Sequence, residues 1–257
     1  MADQITTFLQ SLYGVYCDNA QMWHYAEHPQ GGIYSTMPTT SFVYNFFIYN
    51  SIYQYDWETS IRYRKLTPWS AEQETHDKER LAEMVKSDSE LSKQKRLEKF
   101  MRKACKKDQT LLHEAFQPLA RLKDLDGPWT LVATDSRTTR DAATNFFMRL
   151  LELSQTMRMD EETTDKAIKA SKQNFELIQK CRYFMYTVRN NIFHGSKTLG
   201  DTWDKNQTKR LAHYDLFLKC LLQLFFLCLD MNPLPEESLS LCIEDHRVEI
   251  LPEGGQN

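Results

Sequence analysis

The stretch Ile178 to Gly195, IQKCRYFMYTVRNNIFHG, decides how this chain is read. Ile178, Cys181, Met185, Val188 and Ile192 recur at intervals of three and four, the repeat of one apolar helix face. The spacing predicts a helix from near Thr164 to about Asn191, with Gly195 as the residue that closes it in a left-handed turn. Arg189, Asn190 and His194 crowd this end. Arginine and histidine suit a helix C-terminus, where they bond the last carbonyls and oppose the dipole. The same residues can also serve phosphodiester chemistry, since arginine forks onto phosphate oxygens and histidine moves protons near neutral pH. An offset of five residues turns about 140° on an ideal helix, so Arg189 and His194 do not share a face. They can converge only if the helix ends between them or if two copies meet across a symmetry axis.

The rest of the chain reads as a helical scaffold for this end. Its 257 residues suit one large domain or two small ones, with 41% apolar and 26% charged residues, as in ordinary globular proteins. Eight glycines and eight prolines favour helices, and a net charge of −3 means that any affinity for nucleic acid must come from a local patch. The six cysteines form no C-x-x-C pair and no disulfide framework, which points to reduced thiols and a cytoplasmic setting. The start Met1-Ala2-Asp3-Gln4 lacks the features of a secretory signal. No membrane association is expected: the apolar run Leu216 to Leu229 is shorter than the roughly 20 residues that span a bilayer. Lys219 and Gln223 interrupt it and form, with Asp215, a polar line at i, i+4 and i+8. That is the pattern of a buried core helix at about 207–230.

Further helices are expected at 4–27, 40–57, 89–107, with Ser87 as N-cap, and from 138–141 to 156. The second is dense in aromatic residues, with Phe42, Phe46, Tyr49 and Tyr53 at helical spacing; Asn45 and Asn50 on it need partners if buried. The fourth should bury Phe146, Phe147, Leu150 and Leu151. Residues 129–133 are expected as a short strand and 240–251 as a small β-hairpin. In the helix at 89–107, Leu97, Met101, Ala104 and Cys105 make the apolar face. Between 93 and 107 there are eight lysines or arginines and one acid, Glu98. Lys95, Lys99, Arg102, Lys103 and Lys106 form either a solvated face or a contact surface for an RNA backbone.

Other chemistries find little support. No Walker loop, G-x-G-x-x-G or G-x-S-x-G is present, so a phosphate-binding glycine loop and a serine nucleophile elbow are both absent from the sequence. His24-Tyr25-Ala26-Glu27-His28 matches the H-x-x-E-H zinc pattern, yet Pro29 pushes His28 out of the α region and no third ligand lies nearby. Neither a metal nor a cofactor is expected. Cys181 and Cys228 sit on apolar stripes and read as core.

Arg189-Asn190-x-x-x-His194 resembles the R-[polar]-x-x-x-H signature of the HEPN superfamily, where it closes a long helix that an apolar helix follows. The aromatic helix containing Tyr49-Asn50-Ser51-Ile52-Tyr53 resembles that family's first helix. The resemblance implies a single, mainly all-α HEPN-like bundle with a core at about 40–57 and 140–230. A charged insertion at about 60–135 and a C-terminal extension at 235–257 are additions. It further implies a metal-independent endoribonuclease, a homodimer with a composite active site. His194 would move the proton of a ribose 2′-OH, Arg189 would stabilise the phosphorane, and Asn190 would orient a phosphate oxygen or the partner histidine. Its RNA substrate could be tRNA, mRNA or another single-stranded RNA, and its role a toxin-like effector of antiviral defence or abortive infection. In the toxin branch paired with a nucleotidyltransferase antitoxin, a tyrosine lies two residues after the histidine; here it is Ser196, so that form of regulation is not expected. Two alternatives stand beside the nuclease. One is a non-catalytic helical module that binds RNA or protein, its arginine and histidine only capping a helix. The other is a sensor-effector gated by 60–135, with a regulatory protein partner.

Overall fold

The computed structural model describes residues 4–25, 37–66, 68, 87–108, 110–120, 137–157, 164–193 and 205–231. Eight helices fill them: α1 (Gln4–Tyr25), α2 (Met37–Tyr53), α3 (Trp57–Tyr63), α4 (Ser87–Lys107), α5 (Thr110–Ala120), α6 (Arg137–Met157), α7 (Thr164–Phe193) and α8 (Lys205–Leu227). The fold is mainly all-α; among the described residues the only β feature is an isolated antiparallel bridge between Tyr55 and Pro68. The expected strand at 129–133 and hairpin at 240–251 lie outside the described residues, as does Ser196.

Helix α8 is the axis. Every residue from Tyr214 to Leu227 is buried, and α2 and α5 pack along it. A helix that is apolar nearly all round belongs in the middle of a bundle. No described helix is long and apolar enough to cross a membrane. α1 packs on α2, and α6 packs between α5 and α7. Phe146 of α6 links three of these helices, stacking on Phe184 of α7 and meeting Tyr214 and Phe217 of α8 edge-on. Phe146, Phe147 and Leu150 are buried as expected, while Leu151 is only partly covered.

The polar line of α8 is turned inward. Asp215 and Lys219 are fully buried and paired at 2.9 Å. Ser41 donates to one carboxylate oxygen of Asp215 at 2.7 Å, and the Asn45 amide donates to the other at 2.7 Å. The Tyr16 hydroxyl donates to the Lys219 carbonyl at 3.2 Å, so α1, α2 and α8 are stitched by one polar seam. The Asn45 amide nitrogen thus finds a partner, while its Oδ1 accepts no hydrogen bond among the described residues, and Asn50 accepts from the Tyr53 hydroxyl.

The aromatic segment differs from its sequence reading. It is not one helix across 40–57: α2 stops at Tyr53 and α3 begins at Trp57. Asp56 is the reason, because its carboxylate caps the new helix, accepting from the Thr59 backbone N–H at 3.3 Å and the Thr59 hydroxyl at 2.8 Å. Trp57 is buried and donates its indole N–H to the Ile52 carbonyl at 2.8 Å, which fixes the bend. α3 closes at Arg64, whose φ of 49° is left-handed. In α4, Ser87 is the first helical residue instead of the cap preceding it. Pro118 lies inside α5, near its end, and supplies no N–H to the carbonyl four residues earlier.

The charged stretch set apart in the sequence contributes to the same core. Leu97, Met101 and Cys105 of α4 and Leu112, Phe116 and Leu119 of α5 are buried with the rest, and Ala104 is half-buried. Burial also governs the thiols. It pushes Cys181 up to about 12, and a hydrogen bond with Cys105, together with burial, raises Cys228. A raised thiol pKa means little reactive thiolate. Because all three are buried, iodoacetamide at about pH 8 is expected to leave Cys105, Cys181 and Cys220 unmodified in the native chain and to label them after denaturation. Mass spectrometry of native-labelled peptides checks this, and rapid labelling of Cys181 would contradict its burial.

Candidate active site

α7 runs for 30 residues, and its final turns carry the polar end of the signature. Arg182, Tyr186 and Arg189 are spaced by four and three, so they lie along one face of the helix. That face meets α2. The Arg189 guanidinium lies 6.0 Å from the Phe46 ring and 6.0 Å from the Tyr186 ring, and it donates to the Asn190 side-chain oxygen at 2.9 Å. Arg189 is half-buried, so the charge is walled by two π-faces without being sealed from solvent. Asn190 thus has a role the sequence did not suggest: its carbonyl steadies the arginine, and its amide nitrogen is the end suited to an anion's oxygen. The helix continues to Phe193; His194 and Gly195 lie outside the described residues.

Two turns earlier, Arg182 is 1% exposed and is the residue that sequence reasoning missed. It donates to Gln94 at 2.6 Å and to Glu98 at 3.1 Å, both on α4, and its guanidinium lies 4.8 Å from the Tyr183 ring. Burial disfavours the charge, but Tyr49 and Glu98 outweigh it and hold the Arg182 pKa above the ordinary arginine value. The neighbouring Tyr49 hydroxyl is pushed up, chiefly by burial, with Arg182 opposing. Glu98 also takes Arg102 at 3.4 Å, and Arg102 covers the Phe175 ring at 5.3 Å. Because 182 pairs with 94 and 98 while 175 meets 102, α4 and α7 run antiparallel. The arrangement clamps α7 between α2 and α4 just ahead of Arg189. A signal was present in the sequence: Glu98 is the one acid among the bases of 93–107 and sits beside the apolar stripe.

The basic residues divide into two groups. Lys95, Lys99, Lys103 and Lys106 are exposed, whereas Arg102 is half-buried and turned toward Glu98 and Phe175. Lys103 pairs with Glu58 at 2.5 Å, and that contact holds the Glu58 carboxyl below its ordinary value. Near them a cleft of about 220 Å³ opens between Asp56 and Glu58 of one wall and Arg96 and Lys99 of the other. Its mixed charge does not suit a polyanion. Among the described residues, no three His, Cys, Asp or Glu side chains are grouped to hold a metal. The His24 and His28 side chains lie outside the described residues. Compared with protein-family models, curated proteins and solved structures, the chain matches none.

Proposed function

We propose that this chain is a metal-independent endoribonuclease acting as a homodimer with a composite site. The observation that carries the reading is Arg189, a half-buried guanidinium braced by Phe46, Tyr186 and Asn190 five residues before His194. A group held in that way is pre-organised to meet charge that develops on a phosphorane. His194 takes the proton of the ribose 2′-OH, whose oxygen attacks the adjacent phosphorus. The bond to the 5′-oxygen breaks and that oxygen gains a proton, giving a 2′,3′-cyclic phosphate and a 5′-hydroxyl end. DNA lacks the nucleophile and is inert. The five-residue offset favours Arg189 and His194 acting across two facing copies. A cytoplasmic effector of antiviral defence, restrained by a regulatory partner, is the role we infer.

Single-stranded RNA or tRNA incubated with the pure protein in EDTA should yield cyclic-phosphate ends. Absence of cleavage, or equal cleavage by His194→Ala, sinks the proposal. The capping alternative predicts that His194→Ala lowers thermal stability with no enzymatic consequence.

The exposed lysines make a second expectation. Lys95, Lys99 and Lys106 have no ion pair among the described residues comparable to that of Lys103, and they suit phosphate contacts. Their replacement by glutamine should weaken RNA binding and flatten its dependence on log salt, by roughly 0.7 for each single-strand phosphate that is no longer neutralised. Arg102→Gln should instead act mainly on stability, since its partners are Glu98 and Phe175. Binding titrations at several salt concentrations read both effects.

A further inference from the structure

We infer that Arg210 of α8 is the cation of a phosphate-binding site at the end of the bundle where α8 begins. Its side chain is 7% exposed, and its buried Nη2 has no hydrogen-bond partner among the described residues. The other buried cations among them are paired, Lys219 with Asp215 and Arg182 with Glu98. No described acid takes Arg210 in the same way. The first turn of α8 carries none, and Asp215, five residues on, is held by Lys219, Ser41 and Asn45. Arg210 does lie close to Tyr214, one turn on, where its charge opposes the rise that burial gives the phenol. Tyr214 packs in turn on Phe146, Phe147 and Phe184, so that turn of α8 offers the guanidinium rings and no carboxylate.

Arginine stays charged at any working pH, and an unpaired charge in a protein interior is costly. The start of a helix adds to that cost, because its dipole favours anions over cations. An oxyanion beside Arg210 removes both costs. A phosphate suits the place best: the guanidinium fork matches its oxygens, and it brings more charge and more acceptors than a carboxylate. Helices α7 and α8 run antiparallel, since Arg102 covers Phe175, its neighbour Met101 meets Cys228, and Phe184 meets Tyr214. Arg210, one turn before Tyr214, therefore lies toward the C-terminal end of α7. A phosphate of an RNA strand and a free phosphate ion share the chemistry that Arg210 selects. Either can occupy this place whether or not the chain cuts RNA.

The test titrates the full chain with sodium phosphate at constant ionic strength in a calorimeter and follows its thermal melting in phosphate-free chloride buffer. Phosphate should bind the wild type saturably, and Arg210→Met should weaken that binding by roughly ten- to a hundredfold. In chloride alone the same variant should melt a few degrees above the wild type, because it removes an unpaired buried charge. Arg210→Lys keeps the charge without the fork, so it should bind phosphate more weakly than the wild type and gain no stability. Fluorescence anisotropy with a labelled, single-stranded 2′-O-methyl oligoribonucleotide, which cannot be cut, separates the two sources. Loss of its affinity in Arg210→Met assigns the phosphate to an RNA strand; unchanged affinity beside a loss of phosphate binding assigns it to the free ion. The site is overturned if the wild type binds no phosphate saturably and Arg210→Met leaves RNA affinity unchanged. A loss of stability in Arg210→Met that Arg210→Lys repairs also overturns it, since an acid of the chain itself then pairs with Arg210.

Discussion

Replacing Arg189 with alanine is expected to lower kcat for RNA cleavage by roughly a hundred- to a thousandfold, the loss seen when one donor to a developing oxyanion is removed. The fold should survive. Arg189 is half-buried, and its contacts with Phe46 and Tyr186 are cation–π contacts worth about 0.5–1 kcal/mol each near a surface. Stability should therefore fall by only about 1–2 kcal/mol. Lysine should recover part of the rate, because it keeps the charge but loses the forked, delocalised geometry. Single-turnover cleavage combined with urea melts separates the two effects. A loss of rate that tracks unfolding, or a variant that cuts at the wild-type rate, would remove Arg189 from the chemistry.

Asp215→Ala should have the largest effect on stability, about 3–5 kcal/mol, the cost of breaking a buried ion pair from one side. Its carboxylate is the common acceptor for Lys219, Ser41 and Asn45, all buried. Removing it leaves the ammonium of Lys219 in the centre of the bundle without its counter-charge. The double variant Asp215→Leu/Lys219→Leu should recover much of the loss, since apolar replacement of a buried pair is often neutral or better. Chemical denaturation of the two variants and the wild type checks both. Equal destabilisation by the single and double changes would mean that Asp215 acts through Ser41 and Asn45 of α2, not through Lys219.

Much of the scaffold was legible because helical periodicity is local. The α7 stripe from Ile178 to Ile192 follows from side-chain spacing alone, and so does the buried character of α8. Even the α8 polar line at 215, 219 and 223 could be seen, but not its meaning. A line of that kind is solvated on a surface helix and paired inside a bundle, and only the approach of Ser41 and Asn45 across α2 decides which. The bend at Asp56 was hidden for a different reason. Trp57 continues the aromatic pattern, whereas the cap that starts a new helix depends on where the Asp56 carboxylate points.

Arg182 shows the same limit. As an arginine beside the apolar stripe it reads as a polar flank, yet Gln94 and Glu98, more than 80 residues away, make it the buried clamp of α7. The bases of α4 likewise looked equivalent in sequence. Packing against α7 and α3 turned Arg102 inward and engaged Lys103, leaving Lys95, Lys99 and Lys106 as the solvent-facing strip.

The sequence by itself determined the helical class, the long α7 with its arginine near the end, and the buried axis α8, because each is written in contacts between residues three or four apart. Only the tertiary structure decided how charge is used. Whether Asp215, Arg182 and Arg189 are solvated, clamped or braced depends on side chains brought from distant helices, and no spacing within one helix encodes that meeting.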